Sequence, residues 1–319
     1  MPAFDLVRIL EAIYAVELAE REWLSGIVAA FRPALEDGLG MAAYVYDASV
    51  RPLVVREPIL DCPLDANGLA ALMGNSNEDY VRGAWLSKVA ATASETPGFT
   101  EHPGVPLVFH PVGIHDVMVI NALDPMGIGC LVGAPLRKLR RLSEPERERW
   151  ERVGAHVQTA LRLRLRLSRA AAPVQAVLTR DGRAQHLEGD AERARDALRE
   201  AVLGIDRAQT KLRREPDRAL ASWPALVRAR WTLVHDFETG GERFIVARAN
   251  QASAAGSSLL SEREREVVGC LAMGHSPKVI AYELGLSHST VRVLLARARA
   301  KLGARTREEL IEKLRGGDS

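Results

Sequence analysis

LSEREREVVGCLAMGHSPKVIAYELGLSHSTVRVLLARARAKLGARTREELIEKL, from Leu260 to Leu314, is punctuated as four short helices. Ser261 with Glu264 forms a capping box, in which the hydroxyl takes one free amide and the carboxylate another. Ser276 followed by Pro277 opens the second helix, since proline loses nothing at a first helical position. Ser287 caps the third, and Thr306 with Glu309 repeats the capping box for the fourth. Glycines 274, 285 and 303 stand where helices stop and supply the left-handed residue of a tight exit. Only Gly285 and Leu286 separate the second and third helices, the short glycine-bearing turn of a helix-turn-helix. Val279, Ile280, Leu284 and Leu286 form one apolar face, and Val291, Leu294, Leu295 and Leu302 another. From Ser287 to Arg307 the chain carries Arg292, Arg297, Arg299, Lys301, Arg305 and Arg307 and no acid. A helix fits the major groove, and a face of one positive sign neutralises phosphates and releases their counterions.

Leu260-Ser261, Arg263-Glu264, Glu266-Val267, Ala272, Gly274, Ser276, Lys278, Ile280-Ala281, Leu284, Ser287, Thr290-Val291-Arg292 and Lys301-Leu302-Gly303 resemble the LuxR-type (GerE-like) helix-turn-helix of bacterial transcription regulators. Two positions depart: Val279 stands where the family usually has glutamate and Leu294 where it usually has histidine, and both changes remove a polar group. The resemblance implies dimeric binding to a palindromic site in double-stranded DNA, the third helix reading bases and the fourth pairing subunits. RNA polymerase is a further candidate partner. On the third helix Arg292, Val293 and Ala296 share the outward face and match the base-reading positions of such domains. Arg292 can donate twice to a guanine, while Val293 and Ala296 offer apolar contact to a thymine methyl. Ser289 and Thr290 lie in the first turn, where hydroxyls and free amides hold phosphate. With Ser276, Lys278, Arg297 and Lys301 they make the expected backbone contacts. Thr290 to Leu302 also looks like the promoter-reading end of a small sigma factor. That alternative needs a basic, aromatic helical domain upstream, which the sequence does not display.

The 319 residues bound the chain to two or three domains. With 47% hydrophobic and 26% charged residues and a net charge of +2, it has an ordinary globular composition without a spread polybasic coat. Cys62, Cys130 and Cys270 are few, odd in number and far apart, which argues for reduced thiols. Acids run through the apolar stretch of the first twenty residues, so no signal peptide is expected, and no charge-free run reaches membrane-spanning length. A cytoplasmic protein is the expectation.

Asp5 to Glu36 repeats apolar residues at three and four, as one long amphipathic helix or two collinear ones. MAAYVYD (41–47) reads as a strand, Leu53 to Val55 as a short second one, and Gly68 to about Ala91 as helix weakened at Gly74 to Asn77. Thr96 to Pro106 is a loop. His115–Ala122 and Gly127–Ala134 alternate as a hairpin. Ser143 with Glu146 caps a helix running to about Ala171. Within it LRLRLRL (161–167) alternates as a strand would, while the uninterrupted helical approach and the propensities of leucine and arginine favour helix. This order resembles the GAF-type sensory fold, which implies a small-molecule pocket on the sheet face. The apolar surface of the two long helices exceeds what one small sheet would cover, a second reason to expect a homodimer.

Pro173 begins a second module. Val174–Leu178 and Ala184–Leu187 flank the turn Asp181-Gly182, a charged helical span runs from Ala191 to about Arg214, and Trp231–Phe237 pairs with Arg243–Ala249. The order resembles a compact PAS-type domain. Asn250 to Ser258 is a small-residue linker, too flexible to transmit a rigid rotation, so upstream control would act through dimerisation or masking. The expected architecture is therefore α+β sensory modules followed by an all-α four-helix LuxR-type domain. Its boundaries are 1–171 (GAF-like, ending in the long helix), 172–250 (PAS-like), 251–258 (linker) and 259–319. No phosphate-cradling glycine loop, His-Glu-x-x-His or nucleophile elbow is present, so catalysis and cofactors are not expected. An enzyme with an accessory DNA-binding tail stands as the rival class. His102, His110, His115 and Asp116 lack metal-ligand spacing, and no metal is expected.

Overall fold

The computed structural model describes residues 4–48, 50, 52–86, 88–124, 127–167, 174–224, 227, 231–239, 242–249, 260–272, 275–306, 309–311 and 313. The linker expected at 251–258 and the helix stop at Gly274 lie outside these residues. By contacts the chain divides into two units, Met1–Arg164 and Leu165–Ser319.

The first unit opens with α1 (Leu6–Ile13), capped by the Asp5 carboxylate on the Arg8 amide, and α2 (Glu20–Leu35). The expectation of collinear helices fails here. The Trp23 indole donates to the Ile13 carbonyl at 2.9 Å across ten residues, which requires the chain to double back. After α2 come β1 (Met41–Asp47), β2 (Val54–Asp61), α3 (Ala66–Gly74) and the single turn α4 (Glu78–Val81), followed by a π-turn over Arg82–Leu86. β3 (Ala90–Thr92), β4 (Asp116–Leu123), β5 (Ile128–Leu136) and α5 (Glu144–Leu167) complete the unit. The five strands form one sheet in the order β2-β1-β5-β4-β3, antiparallel throughout.

The hairpin β4–β5 lies where alternation predicts it, and β2 runs six residues past Val55. Pro58 hides that extension, because a proline is tolerated in a strand only at an edge, which β2 is. Glu57, at φ 26°, marks an irregularity beside it. β3 replaces the end of the expected helix: Ala90 and Ala91 carry no strand preference and are held by pairing with Ile120 and Val119. The alternating 161–167 segment is helical, as the favoured reading has it.

One sheet face, with Met41, Ala43, Met118, Ile120, Cys130 and Val132, is buried, and α2 and α5 lie on this side. A Cβ on Gly154 of α5 would strike Val89 and lie in contact with Ile120, so the helix approaches the sheet closely. The Cys130 thiol, walled in there, is pushed up to about 12 by desolvation. The other face carries Tyr44, Tyr46 and Leu131 under a cover of α3, α4 and the segments before β4. Leu6, Ile9, Trp23, Leu24, Ile27 and Phe31 are fully buried in the single chain, as are Val153 and Val157. The apolar surplus that argued for a second subunit is thus covered within one.

In the second unit β6 (Val174–Thr179) and β7 (Ala184–Leu187) flank a turn whose Gly182 takes φ 79°. α6 (Asp190–Arg193), α7 (Arg195–Gln209) and α8 (Pro216–Ser222) follow, then β8 (Trp231–Thr239) and β9 (Glu242–Ala249). The sheet order is β7-β6-β9-β8, antiparallel, over a core including Leu198, Val202, Leu220, Trp223 and Trp231. The C-terminal helices α9 (Glu262–Ala272), α10 (Pro277–Leu284) and α11 (His288–Leu302) belong to the same unit. No helix among the described residues is long and apolar enough to cross a membrane.

Candidate nucleic-acid interface

The caps read from the sequence at Ser261, Ser276 and Ser287 are made by the side chains expected of them. The Glu264 amide donates to Ser261 Oγ at 3.3 Å while the Ser261 amide donates to Glu264 Oε2 at 2.8 Å. Ser276 Oγ accepts the Val279 amide at 3.3 Å and opens α10. Ser287 Oγ accepts the Thr290 amide at 3.0 Å and opens α11. Gly285 and Gly303, both at φ 62°, end α10 and α11 in the left-handed region. The fourth cap differs in one bond: the Glu309 amide reaches Thr306 Oγ1, but the Glu309 carboxylate accepts from Arg305 rather than Thr306. Residues 309–311 and 313 are helical. Lys313 closes the far end of α11, its ammonium donating to the Leu302 and Gly303 carbonyls at 3.1 and 3.0 Å, where the helix dipole is negative.

The helices share a small core in which Val267, Val268, Leu271, Ile280, Leu284, Val291 and Ala298 are central. Leu294, Leu295 and Leu302 pack against it partly buried, which fixes the roll of α11. Arg292, Val293, Ala296 and Arg297 are consequently exposed on the opposite side, at helical spacings of three and four. Val293 keeps 49% of its surface in water, a large apolar side chain without cover. Ser289 and Thr290 are exposed in the first turn, their hydroxyl oxygens 2.7 and 2.8 Å from Ser287 Oγ. That hydroxyl cluster sits at the positive end of the helix, where an anion is favoured.

The remaining predicted contacts are placed less uniformly. Lys278 is exposed in the first turn of α10. Ser276 is half-buried and engaged in its cap. Lys301 is paired inside the domain, its ammonium 2.7 Å from Glu264 Oε2. That ion pair, followed by the Ser261 amide, drives the Glu264 carboxyl down to about 2. Glu264 therefore caps α9 and holds α11 at once, a coupling that the sequence motif does not reveal.

Two further features were not read from the sequence. Cys270, His275 and Glu283 bring three metal-ligand-type atoms within 4.8 Å of one another in the buried interior. His275 Nδ1 and Glu283 Oε2 lie 2.7 Å apart, the distance of a hydrogen bond. Ligand atoms around a zinc ion are separated by about 3.3 Å or more given bonds of about 2.0 Å. Tyr282, one turn beyond Val279 on α10, places its hydroxyl 2.7 Å from the Leu220 carbonyl and 2.8 Å from the Trp223 carbonyl at the end of α8. The helix-turn-helix is thereby tied to the module before it. Val279 itself is 2% exposed, so the glutamate usual there would bring a carboxylate to a buried position. Of the histidines set aside as metal ligands, His102 bonds Ser76 and the Gly104 amide. Asp116 accepts four bonds, from Ser94 twice and from the Val117 and Arg140 amides.

Residues 258–314 match the family model "Bacterial regulatory proteins, luxR family". The transcriptional regulatory protein FixJ of Azorhizobium caulinodans is 46% identical over 52 residues, 16% of this chain and 25% of that protein. The transcriptional regulatory protein UhpA of Salmonella typhimurium is 39% identical over 84 residues, 26% of this chain and 43% of that protein. The chain thus spans less than half the length of these curated relatives. The two α+β regions that precede the match carry antiparallel sheets and end in the helical region. The C-terminal region of this chain is a helix-turn-helix domain of the luxR family.

Proposed function

We propose that the chain is a bacterial transcriptional regulator, acting in the cytoplasm, that binds DNA sequence-specifically as a homodimer under the control of its upstream modules. The observation that carries this reading is the outer face of α11. Arg292, Val293, Ala296 and Arg297 are exposed on it, the sequence from Ser287 to Arg307 carries no acid, and a glycine turn and an apolar stripe packed on the core hold it outward. Such a face enters a major groove, and two of them related by a dyad fit a palindrome. Arg292, Val293 and Ala296 read base edges. Ser276, Lys278, Ser289, Thr290, Arg297 and Lys301 hold the backbone, with the Lys301 charge shared between phosphate and Glu264. The names of the relatives matched over this region, both transcriptional regulatory proteins, support the same role.

A GAF-like reading of the first module is supported by its five-stranded antiparallel sheet, with α2 and α5 along one face and α3 and α4 over the other. A PAS-like reading of the second is supported by its pair of hairpins around intervening helices. Both serve as sensory modules that set DNA affinity, with a small molecule as signal in the first. The experiment is selection of DNA from a random pool by the full chain. A palindromic consensus is expected, with half-sites one helical turn or a multiple apart, and uniform recovery of all sequences would overturn the reading. If a fragment from Ser257 onward bound the selected site with the affinity and ligand response of the full chain, control by the upstream modules would be excluded.

A further inference from the structure

Cys270 in the last turn of α9, His275 in the turn that follows and Glu283 in the last turn of α10 converge inside the C-terminal helices, 5%, 1% and 0% exposed. The backbone fixes where they stand. The His275 amide donates to the Cys270 carbonyl at 3.2 Å, and the Ser276 cap starts α10 directly after it. Cys270 packs in the shared core as a small apolar side chain would. A histidine and a carboxylate at full burial are costly there, and none of the three belongs to the residues that carry the LuxR-type resemblance. No fourth histidine, thiol or carboxylate joins the group among the described residues.

An imidazolium can offset one buried negative charge. A divalent cation offsets two, so it can take the Glu283 carboxylate and a Cys270 thiolate with a neutral His275 ring and leave the buried site without net charge. The geometry is close to what zinc requires. Tetrahedral bonds of about 2.0–2.2 Å to nitrogen and oxygen and about 2.3 Å to sulfur set ligand atoms about 3.3–3.7 Å apart. The three ligand atoms lie within 4.8 Å of one another, and His275 Nδ1 and Glu283 Oε2, now hydrogen-bonded at 2.7 Å, need only part by about 0.6 Å. We infer that Cys270, His275 and Glu283 form a zinc site, with a water in the fourth position. The ion takes the place of the proton between Nδ1 and Oε2 and displaces that of the thiol. It ties α9 to α10 beneath the reading helix, so its occupancy sets the stability of the DNA-binding domain.

The test uses the full chain, reduced and stripped of metal by a chelator, titrated with zinc chloride in a calorimeter and with cobalt(II) chloride by absorption. One zinc per chain should bind and raise the melting temperature. Cobalt should give a thiolate-to-metal charge-transfer band, lost again when zinc is added. Cys270→Ala should abolish that band and the thermal shift, while Cys62→Ala should keep both. Glu283→Gln, which keeps the shape of the side chain and an acceptor for the ring, should weaken zinc by at least the roughly 10–100-fold that loss of an outer-sphere partner costs. Circular dichroism checks that each variant is folded, and Glu283→Gln decides the matter should Cys270→Ala unfold. No zinc uptake by the wild type, a charge-transfer band that survives Cys270→Ala, or an affinity unchanged in Glu283→Gln would each overturn the site. Metal uptake is read without DNA, so its failure leaves the regulator reading standing.

Discussion

Arg292→Ala isolates what α11 reads. The Arg292 side chain is exposed and has no ion-pair partner among the described residues. Its truncation should therefore leave folding stability within about 0.5 kcal/mol of the wild type, as for other surface substitutions away from special features. The loss should fall on DNA. A bidentate arginine to guanine O6 and N7 discriminates by about 1–3 kcal/mol, which is about 5–150-fold per half-site. In a symmetric dimer both half-sites lose it. Lys278→Ala is the control from α10: it should weaken all sequences alike and flatten the slope of log affinity against log salt by about one per subunit. The assay is competition binding of both variants on the selected operator and on singly substituted operators, across salt concentrations. Arg292→Ala should flatten preference at one base pair per half-site and leave the other positions ranked as before. An equal loss on every sequence would make Arg292 a phosphate contact and refute the orientation deduced from the inward stripe of Val291, Leu294 and Leu295.

Sedimentation of the full chain with its selected operator should show two subunits per palindrome, and a single subunit at micromolar concentration with and without DNA would exclude the homodimer. Glu264, depressed to about 2 first by Lys301 and then by the Ser261 amide, stabilises the helix-turn-helix fully above its ordinary value of 4.5 and loses that contribution as pH falls through 2. In circular dichroism the wild type should accordingly outlast Lys301→Met at pH 6, and the two should converge at the acid end. A gap independent of pH would mean that Lys301 acts by packing. Gly129→Ala puts a methyl against the Tyr46 ring, whose hydroxyl bonds the Trp85 carbonyl and Asn121. Overpacking there should cost about 1–3 kcal/mol in thermal unfolding. Tyr282→Phe should speed hydrogen exchange in α10 by up to about tenfold, the equivalent of one hydrogen bond. Unchanged exchange would show that the tie to α8 carries no weight.

The parts legible in the sequence are those decided within four residues of chain. A serine whose hydroxyl meets an amide three residues on needs no tertiary information, and the caps at Ser261, Ser276 and Ser287 are all made. The exposed side of α11 was legible for the same reason, since Val291 and Leu295 mark the inward stripe by spacing alone. What was hidden depends on distant partners. Ala90 and Ala91 favour helix locally and become strand by pairing with residues nearly thirty positions away. The reversal between α1 and α2 has no glycine or proline to announce it and is held by an indole reaching back to Ile13. The pairing of Lys301 with Glu264 spans 37 positions and joins two residues that read separately as a phosphate grip and a cap.

The tie through Tyr282 changes how control of DNA binding has to be reasoned. A small-residue linker alone would leave the helix-turn-helix free to tumble, so only dimerisation or covering of the reading face could reach it. Covering is not what this conformation does, because Arg292, Val293, Ala296 and Arg297 remain exposed while α10 is bonded to the carbonyls of Leu220 and Trp223. The contact constrains the orientation of the domain instead. Its strength is bounded, since a single hydroxyl proton is shared between two carbonyls and contributes about 0.5–1.5 kcal/mol. That is a factor of about 2–13 in the population of the tied form. A tie of this size holds the domain when nothing opposes it and yields to a modest change in the ends of α8 or α10. An operator that requires another orientation would release it, and by linkage anything that strengthens the tie would weaken binding to that operator by the same factor.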